Sequence, residues 1–182
     1  MRAAVAAGVS MINDINGLRA EGAMDVAARA DIPVCLMHMQ GQPEDMQLAP
    51  EYQDVSEQVN LFFKDRIAEC IRHGIAKRDL ILDPGIGFGK TLQHNLELLN
   101  SMSKMKSLFG CEMLIGVSRK SLIDQLFGRS LEHRLPASIG LAVQSVLNGA
   151  KIVRVHDVRA TFDAIRAVEA VDQVGLTDLK DK

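Results

Sequence analysis

Tryptophan is missing from this sequence, tyrosine occurs once, and aromatic residues make up only 4% of the chain. All-β sandwiches and barrels draw on aromatic cross-strand pairs. The scarcity, beside abundant Ala, Ile, Leu and Val, therefore favours helices packed on a parallel sheet. An excess of either charge is also lacking: 21 Lys and Arg stand against 23 Asp and Glu, a formal charge of −2. That balance gives no general attraction to nucleic acid or to an anionic membrane, so neither is expected as a partner. Any anion must be held by a few placed residues. No apolar run approaches the roughly 18 residues that a membrane span needs. The first residues imitate a signal peptide, but Asn13 and Asp14 interrupt before an apolar core is complete. The three cysteines, Cys35, Cys70 and Cys111, are odd in number and widely spaced among apolar neighbours. This excludes a disulfide framework and a zinc knuckle and fits a reducing compartment, the cytoplasm. His38, His73, His94 and His133 lie far apart without metal-ligand spacing, so no metal ligand is expected from them.

What is present is the patterning of an α/β domain. The 182 residues, 47% of them hydrophobic, suffice for one domain with a sizeable core. Residues 1–7 predict a helix, which Gly8 ends, and residues 9–15 a short buried strand. A helix over 20–29 and a strand over 32–37 follow, then a polar loop over 40–53, longer than most connections. Apolar residues at Val55, Val59, Phe62, Phe63, Ile67 and Ile71 mark one helical face over 55–73, with Gly74 as its stop. Strands are expected over 80–82, 113–117 and 151–155. Helices are expected over 92–108, from 121 through 126, over 136–147 and from about 159 to 174, and residues 175–182 read as a polar tail. We count about four strand–helix units with one extra helix before the last strand. The alternation implies parallel strands, arranged either as an open doubly wound sheet or as part of a (β/α) barrel, whose full form needs about 250 residues.

The polar residues cluster at the predicted strand ends: Asn13 and Asp14, His38 and Gln40, Asp83, Ser118 to Ser121, and Arg154 with His156. In a parallel sheet those ends share one edge, where ligands bind. Any single one could instead cap a helix, but five clusters at five strand ends point to a site. Within Asp83-Pro84-Gly85-Ile86-Gly87-Phe88-Gly89-Lys90, alternate glycines allow a tight turn and close backbone approach to a ligand. The segment is no P-loop, because position 84 is Pro where that motif needs Gly, and the glycine spacing also fails the dinucleotide fingerprint. Ser118-Arg119-Lys120-Ser121 sets cations and hydroxyls at a helix start, which favours an anion. Arg154 and His156, alternate residues of a strand, would share a face and suit a phosphate or pyrophosphate. The competing assignment is a structural ion pair of Arg154 with Asp157.

Met11-Ile12-Asn13-Asp14-Ile15, Cys35-Leu36-Met37-His38-Met39-Gln40-Gly41, the Asp83–Lys90 segment, Ser118-Arg119-Lys120-Ser121 and Arg154-Val155-His156-Asp157 occur in that order. Together they closely resemble the dihydropteroate synthase family, folate-pathway transferases inhibited by sulfonamides. The resemblance runs from residue 1 to about 172 and implies a TIM barrel, of which residues 1–174 would be the C-terminal part, strands five to eight. It implies condensation of 6-hydroxymethyl-7,8-dihydropterin diphosphate with 4-aminobenzoate, releasing pyrophosphate. By resemblance, Asn13 and Asp83 would bind the pterin's donor edge, and Met37, Phe88 and Gly116 would line its pocket. Lys120 would reach the pterin, and Ser121, with Phe88 and Lys120, would meet the aminobenzoate. Arg154 would cover the pterin and, with His156, hold the diphosphate; Lys120, Arg154 and His156 would be the catalytic residues. The family also implies Mg2+, with its protein ligand in the N-terminal part not matched by this chain, and a homodimer. A second expectation is a non-catalytic, pterin-binding half-barrel that complements another chain.

Overall fold

The computed structural model describes residues 1–41, 46 and 50–177. Five parallel strands form one sheet in sequential order: β1 (Ile12–Asp14), β2 (Val34–Met37), β3 (Leu80–Asp83), β4 (Glu112–Ile115) and β5 (Ala150–Val153). Helix α1 (Arg2–Ala6) precedes β1; α2 (Ala23–Ala30), α3 (Val55–Arg72) and α4 (Leu92–Phe109) each follow one strand. Both α5 (Ser121–Phe127) and α6 (Leu135–Leu147) lie between β4 and β5, and α7 (Val158–Thr177) follows β5. Every strand is thus followed by a helix, which makes five strand–helix units rather than the expected four. All five strands lie where strands were expected; the first is shorter than 9–15, and its residues 12–14 pair with β2, Ile12 against Val34. A doubly wound sheet reverses its strand order at a switch point. This one never reverses, so its path is that of a barrel wall.

The two faces of the sheet carry different cores. Ile12, Val34, Leu36, Leu80, Leu82, Met113 and Ile115 alternate onto the helix-covered face and join one large cluster with Val59, Phe63, Leu98 and Met102. The alternate residues Cys35, Ile81 and Leu114 form a second, smaller cluster with Met11 and Ile152. Because side chains repeat every two residues along a strand, Asn13, Met37 and Asp83 share this second face with Met11, Cys35 and Ile81. Register sets Met37 beside Asp83.

Local capping explains why the two longest connecting helices start where they do. The Asp54 carboxylate accepts the Glu57 N–H at 2.8 Å, and Thr91 and His94 cap α4 reciprocally, each cap contributing about 1 kcal/mol. In the expected 40–53 loop, the Gln40 side chain spans to the Glu51 backbone, donating at 2.9 Å and accepting at 3.2 Å. The Tyr52 hydroxyl donates to the Gly89 carbonyl at 2.8 Å. Residues 42–45 and 47–49 of that loop lie outside the described residues. Helix α7 runs to Thr177, three residues into the expected tail, and the remainder of that tail lies outside the described residues. Among the described residues no helix is long and apolar enough to cross a membrane.

Candidate functional site

The strands are parallel, so β1, β2, β3, β4 and β5 end on one edge, and there Asp83 is the central acceptor. It closes β3 and is 1% exposed. One carboxylate oxygen accepts the Gly85 N–H at 2.8 Å, and the other accepts from Arg154 Nη2 at 3.3 Å. Burial pushes the Asp83 carboxyl above its ordinary range, against the pull of the Gly85 N–H, Arg154, Lys120 and Lys90. Gly85 is the residue this turn requires. Its φ is +70°, and a Cβ there would overlap the His38 carbonyl oxygen. The glycine's close approach is therefore to the chain's own β2 end.

Lys120 and Arg154 converge on this carboxylate from the next two connections. The Lys120 ammonium donates to the Ile86 carbonyl and lies 4.5 Å from the centre of the Phe88 ring. Burial lowers Lys120 to about 8, with Asp83 opposing the shift and Arg154 adding to it. Arg154 comes just past the end of β5, and its guanidinium reaches across the sheet edge to Asp83. Gly116 makes room for it, since a Cβ at that position would come within 2.9 Å of Arg154 Nη2. The other terminal nitrogen, Arg154 Nη1, is buried and has no hydrogen-bond partner among the described residues. A buried donor of this kind calls for an acceptor.

Two features of this edge lay outside the sequence expectations. Lys90, 3% exposed, places its ammonium 3.0 Å from His38 Nδ1 and donates to the carbonyls of Phe88 at 2.9 Å and His38 at 3.4 Å. Burial lowers it to about 7, opposed by Asp83 and reinforced by Lys120. His38 is lowered to about 3, by burial first and then by Lys90 and Arg19, so its ring is neutral at pH 7. Arg119, held at φ +57°, forms a two-pronged bridge to Asp157 at 2.7 and 2.9 Å.

The structure brings together Asp83, Phe88, Gly116, Lys120 and Arg154, with Met37 buried beside Asp83 in register. Asn13 is exposed on β1 and shares with Arg154 a cavity of about 460 Å³ whose other lining includes Met11, Leu114 and Phe162. Ser121 opens α5 as an exposed residue. Three corrections concern the last strand. Its pairing ends at Val153, so Arg154 and His156 are not alternate residues of one strand. Arg154 turns to Asp83, whereas the His156 ring nitrogen Nδ1 lies 3.1 Å from Ser118 Oγ. Asp157 is taken by Arg119, which removes the expected competitor for Arg154.

Residues 1–156 match the pterin binding enzyme family. The chain belongs to that family. It is 48% identical over 170 residues to the dihydropteroate synthase of Escherichia coli K12, covering 93% of this chain and 60% of that protein. It is 50% identical over 166 residues to the dihydropteroate synthase of Neisseria meningitidis serogroup C, covering 90% and 59%. The chain therefore spans about 60% of the length of these relatives. Among solved structures, it is similar to the Stenotrophomonas maltophilia dihydropteroate synthase with active-site-bound imidazole, with a TM-score of 0.91 and 49% identity over 94% of this chain and 64% of that one. It is likewise similar to the Xanthomonas albilineans dihydropteroate synthase in complex with 7,8-dihydropteroate, with a TM-score of 0.87 and 43% identity over 94% and 64%. In this member of the pterin binding enzyme family, Asp83, Lys120 and Arg154 gather on one sheet edge.

Proposed function

We propose that this chain acts in dihydropteroate synthesis, joining 6-hydroxymethyl-7,8-dihydropterin diphosphate to 4-aminobenzoate with release of pyrophosphate. The observation that carries the proposal is Asp83, a buried carboxylate met by Arg154, Lys120 and Lys90, beside the buried and unpartnered Arg154 Nη1. A pterin presents neighbouring N–H donors, which a carboxylate held against backbone and Arg can accept, while Asn13 supplies an amide from β1. Met37, Phe88 and Gly116 would line the ring pocket. Arg154 Nη1 would take a diphosphate oxygen, with His156 assisting from the same connection. Lys120 would hold the pterin from the side of Phe88, and Ser121 would meet the aminobenzoate carboxylate. The relatives' complexes with 7,8-dihydropteroate and with 4-aminobenzoic acid support both substrate classes.

In the reaction, the bond from the pterin methylene carbon to the diphosphate oxygen breaks, and its electron pair leaves with pyrophosphate. The aniline nitrogen forms the new C–N bond and loses its surplus proton to solvent. Negative charge grows on the leaving oxygens, so fixed cations placed there lower the barrier more than a strong base would. Lys120 and Arg154 fill that role. Mg2+, implied by the family resemblance, would take its protein ligand from the part of the family that this chain does not match, and the described residues would add none. No three His, Cys, Asp or Glu among them come together in a way that could hold a metal ion, and the site's own surplus is cationic.

Residues 1–174 form the pterin-binding domain in this proposal, an arc of five C-terminal barrel strands. A homodimer would cover the exposed apolar residues Leu147, Val171 and Val174 of α6 and α7. The three buried free thiols suit the cytoplasm. The deciding experiment is an assay of pyrophosphate release by the purified chain with both substrates, alongside calorimetric titration with a pterin diphosphate analogue. Turnover supports the proposal. Binding without turnover makes the chain a half-barrel that needs a complementing chain, and absence of both overturns the assignment.

A further inference from the structure

The chemistry above leaves Lys90 unused, although a buried ammonium is costly and is kept only where partners hold it. Its partners come from two segments far apart in sequence. Phe88 O lies in the turn after β3, and His38 supplies both its carbonyl and Nδ1 from the end of β2. The neutral imidazole can accept at Nδ1, so the ammonium donates to three acceptors. A purely apolar seam could hold the same two segments together, but it would put no charge near Asp83. The charged and titratable groups facing this ammonium are His38 from β2, Asp83 from β3 and Lys120 from the turn before α5. Arg154 bears on Asp83 from the last connection, and Arg19 bears on His38.

We propose that Lys90 is a positioning residue of the pterin subsite: it fastens the end of β2 to the glycine-rich turn after β3 and sets the charge state of Asp83. The inference rests on the pterin assignment above and goes beyond it by setting a third, buried cation against the Gly85 turn: a Cβ at Gly85 would lie 3.4 Å from Lys90 Nζ, and the Gly85 N–H meets Asp83 at 2.8 Å. Phe88 carries one of the carbonyls that Lys90 holds, and Met37 precedes the residue that carries the other, so one ammonium fixes two of the three residues assigned to the pocket wall.

The test compares wild type, Lys90→Met and Lys90→Arg. The 13C-carboxyl titration of Asp83 in the ligand-free chain is read first. In Lys90→Met its midpoint rises by about half a unit or more, because a favourable charge is lost, and Lys90→Arg restores it. Pterin affinity at pH 7 falls about fivefold in Lys90→Met, the effect of about one hydrogen bond. An unmoved Asp83 midpoint in Lys90→Met overturns the inference, since a merely structural lysine would leave it in place. Should Lys90→Met fail to fold, the wild-type chain decides: deprotonation of the Lys90 ammonium must register at the Asp83 carboxyl, and independence of the two overturns the inference. A wild type that binds no pterin while the midpoint still moves would instead sink the pterin assignment and keep the charge coupling.

Discussion

Replacing Asp83 with Asn tests the site most directly, because it changes charge and hydrogen-bond polarity with almost no change in volume. One side-chain oxygen survives and still accepts the Gly85 N–H, but an NH2 replaces the oxygen that meets Arg154 Nη2. A donor then faces donors, both in the protein and at the pterin edge. Loss of one charge-assisted hydrogen bond costs about 1.5–3 kcal/mol, which is about 10- to 150-fold in Kd. Stability moves much less, because two effects oppose. Burying the carboxylate is itself costly, as its raised pKa records, whereas its removal leaves Arg154 without its counter-ion.

The sign of the pH dependence follows from the raised pKa. In the folded chain Asp83 holds its proton to higher pH than in the unfolded chain. Its contribution to stability therefore declines as pH rises through the ordinary carboxylate range and levels off above the folded pKa. Asp83→Asn lacks this decline. Calorimetry for affinity and urea unfolding at several pH values check both parts. Near-wild-type affinity, or an affinity loss matched by equal loss of stability, would refute the acceptor role.

Gly116→Ala is expected to spare the fold and displace the Arg154 guanidinium, since its Cβ would meet Nη2 at 2.9 Å and that side chain can move. Binding of a pterin diphosphate analogue should fall more than binding of free pterin, and thermal unfolding should shift by only a few degrees, on the order of 1 kcal/mol. Lys120, lowered to about 8, should lose charge above that pH, so diphosphate affinity should weaken across that range; calorimetry with Lys120→Arg should show the limb moved to higher pH. Leu82→Ala, at a fully buried position on the helix-covered face, should cost about 2–5 kcal/mol in urea unfolding and leave the affinity of the folded fraction unchanged.

Helix α3 was legible because its signals are local: apolar residues at helical spacing from Val55 to Ile71, and Gly74 at φ +90° as a stop. Strand β1 was read too long. Only residues 12–14 pair, because the Asp14 carboxylate accepts the Leu18 N–H at 2.7 Å and draws the chain into a turn. The count of four units fell one short, although the five strands expected over 9–15, 32–37, 80–82, 113–117 and 151–155 all form. Asp83, Lys120 and Arg154 could be picked out because each follows a short apolar run that ends in a polar residue. The Lys90–His38 and Arg119–Asp157 pairs could not, being 52 and 38 residues apart. Pairings of that range have no periodic signature, and only the sequential sheet order brings them together.

Net charge was an equally poor guide to the site, for a physical reason. The chain carries a formal charge of −2, yet Lys90, Lys120 and Arg154 surround one buried carboxylate. Composition averages over a surface where acids and bases alternate, whereas recognition of an anion depends on which strand ends meet. Burial also holds Lys90 at about 7 and Lys120 at about 8, so the site carries less charge than its residues suggest. An arriving diphosphate would favour the protonated lysines and so deepen the field that holds it. Such a site is selective for a ligand that fits between its cations. It would have little pull on polyanions at large, consistent with a balanced sequence that gathers three cations around one buried carboxylate.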